Sequence, residues 1–143
     1  MNKIILAQTD TTVGFLSQNA QRLEQIKMRS GDKPFLKVYA DLKSLSRDIR
    51  IPSLHKHRVR HSKKTTFVVK NQAFRYVRDP EHARLIQRYG WLYSTSANES
   101  GKGYDSGFCR AVSDIIIEDY RGLSEQSASK IFRLTSTQLK QLR

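Results

Sequence analysis

Cysteine is nearly missing from this 143-residue chain, where Cys109 stands alone. A single cysteine cannot close an internal disulfide, so a small disulfide-stapled scaffold is excluded and a reducing, cytoplasmic compartment is expected. The thiol itself is read as an inert packed side chain. Long apolar runs are also lacking. The opening Met1–Ala7 places Lys3 before Ile4, Ile5 and Leu6, but it turns polar too early for a secretory core. Nothing approaches the roughly 20 apolar residues of a membrane span. A soluble protein is expected. There is no Gly-x-x-x-x-Gly-Lys-Ser/Thr loop, no Gly-x-Gly-x-x-Gly fingerprint and no Gly-x-Ser-x-Gly elbow. Those gaps argue against a P-loop ATPase, a Rossmann enzyme and an α/β-hydrolase, and any ATP must bind by another scheme.

Acidic residues are scarce: 13 Asp and Glu face 26 Lys and Arg, a net charge of +13. That surplus favours a polyanionic partner such as RNA or nucleotides. It is densest between Arg47 and Lys64, where Arg47, Arg50, Lys56, Arg58, Arg60, Lys63 and Lys64 are opposed by Asp48 alone. The segment is either an RNA-contacting flap, with Lys56, Arg58, Arg60, Lys63 and Lys64 as candidate phosphate contacts, or a solvated basic loop. It carries no interleaved aromatics, so base stacking is not indicated. His57 and His61 are four apart, but the surrounding cations repel a divalent ion and no metal site is expected.

The length suits one domain over residues 1–143. Strands are expected at 3–8, 35–40, 66–70, 73–77, 91–95, 115–118 and 129–134, where β-branched and aromatic residues gather. Asp79 as N-cap, Pro80 at the first helical position and Gly90 past the end bracket a helix. Asp41 caps another over 42–49, and Ser17 or Asn19 a third that runs to about Lys27. Asn71-Gln72 separates two strands as a hairpin, and 101–107 reads as a loop. These elements imply a single α/β domain, a twisted mixed parallel/antiparallel sheet with flanking helices.

Three segments carry chemistry. Ser94-Thr95-Ser96-Ala97-Asn98-Glu99-Ser100-Gly101 packs short donors and acceptors onto a strand end, suited to gripping a polar ligand. Thr9-Asp10-Thr11-Thr12-Val13-Gly14 is a second hydroxyl-rich strand end, and Lys27-Met28-Arg29 followed by Asp32-Lys33-Pro34 clusters three cations.

In this order the segments resemble the YrdC/YciO family, whose members make threonylcarbamoyl-adenylate for tRNA modification. The likeness runs from Ile4 to about Leu134, with Arg78-Asp79-Pro80 resembling an Arg-x-Pro and Ser127-Ala128-Ser129 a late serine-rich strand. Departures are Ser62-Lys63-Lys64 in place of a Pro-Gly-Pro turn, Val13 for a tyrosine, Met28 for the glycine between Lys and Arg, and no closing Arg-x-Gly. The resemblance implies a concave basic ligand site and synthesis of threonylcarbamoyl-AMP and pyrophosphate from L-threonine, bicarbonate and ATP. Lys27 and Arg29 would supply fixed positive charge, Ser94, Ser96 and Asn98 would be polar ligands of nucleotide or carbamate, and Thr9 and Thr11 would line the amino-acid end. Lys33, Arg78 and Thr66 are further candidates. Magnesium is implied by the ATP chemistry, without a protein ligand, and tRNA and a threonylcarbamoyl-transferring complex are the implied partners. The alternative is a non-enzymatic RNA-binding protein on a degenerate version of the same fold.

Overall fold

The computed structural model describes residues 1–29 and 34–143. Within them the strands are β1 (Ile5–Gln8), β2 (Val13–Ser17), β3 (Leu36–Tyr39), β4 (Thr65–Val69), β5 (Gln72–Tyr76), β6 (Leu92–Ser96), β7 (Ile115–Ile117), β8 (Lys130–Leu134) and β9 (Leu139–Gln141). They form a single sheet in the order β7-β1-β2-β6-β3-β5-β4-β8-β9. The β1/β7, β3/β5 and β4/β8 ladders are parallel and the rest antiparallel, so the sheet is mixed as expected. Helices α1 (Ala20–Lys27), α2 (Leu42–Asp48), α3 (Lys56–His61), α4 (Pro80–Gln87) and α5 (Ser106–Val112) flank it, with a 3-10 turn at Ser53–His55.

Helix starts follow local capping chemistry. The Asp79 carboxylate accepts from His82 N at 2.9 Å, Asp41 from Ser44 N at 2.7 Å and Asn19 from Arg22 N at 3.2 Å, each satisfying an otherwise orphaned first-turn donor. Gly90 takes φ 85 beyond α4 and donates to Ile86 O at 2.9 Å.

Neighbouring residues of β2 feed different cores. Phe15 packs with Leu23, Phe35 and Cys109, on the side of α1 and α5, while Leu16 packs with Val38, Leu85 and Ile86, on the side of α4. A third cluster joins Leu45 of α2 and Val59 of α3 to Tyr39, Phe67 and Phe74. Because β2 is buried on both faces, its sequence shows no alternation, which is why sequence patterning does not mark it as a strand. Strand β9 and helices α3 and α5 are likewise additions. The basic segment expected as a flap or loop is thus partly helical, anchored by buried Val59. The hairpin turn sits at Lys70-Asn71, since Val69 pairs with Gln72. Among the described residues no helix is long and apolar enough to cross a membrane.

Candidate functional site

The loop after β1 is tied by its own hydroxyls. Thr9 Oγ1 donates to Thr12 O at 2.6 Å and accepts from Thr11 N at 3.1 Å, and Gln126 N donates to Thr12 Oγ1 at 2.9 Å. Asp10 turns inward. Its Oδ1 accepts from Arg75 Nε at 3.1 Å and lies 3.3 Å from His82 Nδ1. Arg75, only 3% exposed, also donates to Thr66 Oγ1 at 3.1 Å, and Thr66 pairs with Ser129 Oγ at 2.8 Å. Arg143 closes the chain of contacts by donating to Ser129 O at 2.9 Å.

Burial works to raise the Asp10 carboxyl, but the hydrogen bond to His82 and the Arg75 charge outweigh it and hold it below the usual carboxylate range. His82 moves down because burial disfavours its charged form. The imidazole is therefore neutral, and the ion pair is Asp10–Arg75. Asp10 N also donates to His82 Nδ1 at 3.2 Å, so this nitrogen meets both the backbone N–H and the carboxylate of Asp10, and Nε2 is buried with no hydrogen-bond partner among the described residues.

Lys27 ends α1 with its ammonium in a cup of oxygens. Nζ donates to Ser96 O and Asn98 O, both at 3.0 Å, and to Asn98 Oδ1 at 2.7 Å. Asn98 Oδ1 also accepts from Ser96 Oγ at 2.7 Å, while its Nδ2 donates to Glu99 O and Lys102 O. None of these acceptors carries full charge. Burial first, and the nearby Arg29 charge second, lower Lys27 to about 8. The Arg29 guanidinium lies 4.2 Å from the Phe35 ring centre, a cation–π contact.

The two clusters meet at Gly14. A Cβ there would stand 2.9 Å from Thr9 Cγ2 and 3.1 Å from Thr95 O, with Ser94 Oγ at 3.8 Å, so the missing side chain lets β6 and the threonine loop approach. Beside the loop opens a cavity of about 740 Å³ walled by Thr9, Asp10, Thr11, Lys63, Lys64, Arg121 and Ser127, among others. Its size suits a small-molecule ligand. Arg121 braces the wall by bonding Asp79 at 3.0 Å and Asp119 at 2.7 Å.

Not every candidate residue gathers here. Thr9, Thr11, Lys63 and Lys64 line the cavity, whereas Thr66 is buried and bonded to Arg75, and Lys27, Ser96 and Asn98 form a separate cup outside the cavity lining. Arg78 is exposed, donates to His61 O at 3.4 Å and does not line the cavity. Lys33 falls outside the described residues. Lys56 and Arg60 line a different, larger cavity of about 1300 Å³, and Arg58 lines neither. Sequence reading missed Arg75, His82, Arg121 and Arg143. The only trace of Arg75 was a cation between the aromatics Phe74 and Tyr76 in a strand. Among the described residues no three His, Cys, Asp or Glu side chains are grouped to hold a metal.

No family model matches the chain. The uncharacterized protein MG259 homolog of Mycoplasma pneumoniae is 29% identical over 92 residues, which are 64% of this chain and 20% of that protein. The chain thus spans about a fifth of that relative's length. P. abyssi Sua5 complexed with L-threonine superposes with a TM-score of 0.81 at 20% identity, covering 99% of this chain and 50% of that one. E. coli YciO gives 0.78 at 19% identity, covering 99% and 82%. With its mixed sheet and five flanking helices, the chain has the YrdC/Sua5 fold.

Proposed function

We propose that the chain is an L-threonylcarbamoyladenylate synthase, acting for threonylcarbamoyladenosine modification of tRNA. The observation that carries the reading is the junction at Gly14, where the Thr9–Thr12 loop meets the strand that leads to the Lys27–Ser96–Asn98 cup. The threonine complex of the structurally similar Sua5 supports an amino-acid end in such a fold.

In the proposed reaction the threonine amine takes up carbon dioxide, released from bicarbonate, and loses a proton to become a carbamate. A carbamate oxygen attacks the ATP α-phosphorus, and the bond to the bridging oxygen of the β-phosphate breaks to release pyrophosphate. No covalent enzyme intermediate is needed. Catalysis rests on positioning and on fixed positive charge facing the phosphates. Thr9 and Thr11 offer hydroxyls to the amino acid, Lys27 and Arg29 supply cationic charge, and Ser96 and Asn98 hold the Lys27 ammonium. Lys63 and Lys64 at the cavity mouth are the candidate contacts for tRNA or another polyanion. The carboxylates nearest the cavity, Asp10 and Asp79, are engaged by Arg75 and Arg121. Magnesium therefore fits as an ion carried on the triphosphate and its waters, where it would neutralise phosphate charge.

The test is to omit L-threonine, bicarbonate and ATP in turn, following pyrophosphate and identifying the adenylate by mass. Product is expected only with the full set. Absence of threonylcarbamoyl-AMP from the full set, with or without the transferring complex, combined with tight tRNA binding, would replace this reading by a non-enzymatic RNA-binding protein.

A further inference from the structure

The 1300 Å³ cavity shares no lining residue with the candidate site. It lies at the far end of the same strand pair. Lys64 and Lys130 at the start of the β4/β8 ladder wall the smaller cavity, while Val69 and Leu134 at its end wall the larger. One side is formed by α2, the 3-10 turn and α3, the other by the connection between β8 and β9. His55 fixes the two sides together: its Nε2 lies 2.9 Å from Thr135 O and 3.0 Å from Gln138 O, so this nitrogen carries the proton and donates. The opening is thereby built into the fold.

Its chemistry is two-part. Val59 and Leu134 form an apolar floor, and Leu54 stands 64% exposed at the edge. Around that floor lie five lysines and arginines, including Lys56, Arg60 and Arg133, and no Asp or Glu among the described lining residues. Lys56 and Arg60 are one turn apart on α3 and face the same opening. The volume exceeds the roughly 300–1,000 Å³ usual for small-molecule sites. RNA would leave the apolar floor unused, and no Phe, Tyr or Trp lines the wall for a base to stack upon, His57 being its one aromatic ring among the described lining residues.

We infer that this cavity docks an acidic amphipathic segment of a protein partner, with its apolar side chains on the Leu54–Val59–Leu134 floor and its carboxylates against Lys56, Arg60 and Arg133. Charge complementarity selects the partner and apolar burial holds it, the helix-in-groove mode of recognition. The two cavities are open to different occupants at once.

The experiment uses the full chain and a synthetic peptide with leucines at i, i+3, i+4 and i+7 flanked by glutamates. Controls are a shuffled peptide of identical composition and an RNA duplex. Anisotropy is expected to show the amphipathic peptide binding about tenfold or more tighter than the shuffled one. Amide shifts should map to Leu54, Val59 and Leu134, and saturating ATP should not displace the peptide. The exposed-site variants Lys56→Glu with Arg60→Glu, and separately Leu54→Asp, should each weaken binding by about tenfold with an unchanged thermal midpoint. Equal binding of the shuffled peptide, shifts confined to Lys63 and Lys64, or occupation of the cavity by RNA in place of peptide would overturn the inference. Failure of adenylate synthesis alone would leave it standing.

Discussion

The two cavities at opposite ends of the β4/β8 ladder share exposed cations on their walls and differ in what lies beside them. The candidate site around the smaller one holds two cations withdrawn from water, Arg75 between Asp10 and Thr66 and Lys27 in its cup of oxygens, while Lys63, Lys64 and Lys130 on the cavity wall are exposed. At the larger one Lys56, Arg60 and Arg133 stand exposed around an apolar floor. Fixed, desolvated dipoles and charges stabilise developing charge without reorganising, whereas exposed cations mainly steer and select a partner. Net charge therefore locates neither site; the buried Arg75 and Lys27 mark the side of the smaller one.

That contrast breaks most sharply in stability. Replacing Asp10 with alanine leaves Arg75 buried without its counter-charge, expected to cost about 3–5 kcal/mol. Replacing exposed Lys56 with alanine should change stability by under about 0.5 kcal/mol. Urea unfolding of both variants checks the difference, and equal small losses would mean that the Asp10–Arg75 pair is not the anchor described. The same network gives an acid signature. His82 has a lowered folded pKa against its ordinary 6.5, so below that value the unfolded chain takes up a proton that the folded chain refuses, and stability falls. Asp10, also lowered, keeps its contribution above about 3.8 and loses it as pH drops through its folded value.

Lys27 sharpens the comparison from the chemical side. Lys27→Met and Arg29→Ala should each reduce pyrophosphate release roughly tenfold to a hundredfold, because a charge-assisted phosphate contact contributes about 1.5–3 kcal/mol. With its pKa lowered to about 8, Lys27 should lose its charge, and the protein its nucleotide affinity, as pH rises through that value. Stability moves the other way: the penalty for burying the ammonium is fully present below about 8 and is relieved as pH rises toward 10.5. Nucleotide titrations and unfolding curves across that range test both signs. Wild-type turnover in both variants would remove the pair from the site.

How far sequence could see this molecule depended on the range of the interactions. The α4 bracket of Asp79, Pro80 and Gly90 was legible because a cap and a terminating glycine act within a turn or two. The three candidate segments were legible as composition; the fold adds the meeting of the first two at Gly14 and the tie from Lys27 to Ser96 and Asn98. Helix α3 was not legible, since Lys-His-Arg-Val-Arg-His carries one apolar residue and only the sheet beneath tells Val59 to turn inward. Arg75 was overlooked for a similar reason: its partner Asp10 is 65 residues away, and the resemblance drew attention to Arg78 instead.

The basic segment, read from sequence as one unit, is divided by the structure between the two cavities, and salt dependence can test that division. Replacing Lys63 and Lys64 with glutamine should make the log–log salt slope of tRNA binding shallower by roughly 0.7–0.9 per lost phosphate contact. The same change at Lys56 and Arg60 should leave the slope unaltered if their partner is an acidic protein segment. Equal effects at both pairs would reunite the segment as one RNA surface and count against the second cavity as a peptide site.

The smallest effect concerns a single backbone angle that sets the spacing of Lys27 and Arg29. Met28 ends α1 at φ 50 and ψ 42, and Arg29 N reaches back to Glu24 O at 3.2 Å. This is a Schellman-type helix end, which turns the chain sharply between Lys27 and Arg29. A side chain in the left-handed region costs on the order of 1–2 kcal/mol, and glycine avoids that cost. Met28 is 81% exposed and has little packing to lose. The extra freedom that glycine gives the unfolded chain offsets part of the gain. Met28→Gly should therefore stabilise the protein by about 0.5–1 kcal/mol, a rise of roughly 1–4 °C in thermal midpoint for a chain of this size. Pyrophosphate release should remain near its wild-type rate, because Lys27 and Arg29 keep their directions. A lower midpoint would show that Met28 contributes contacts outweighing its backbone strain.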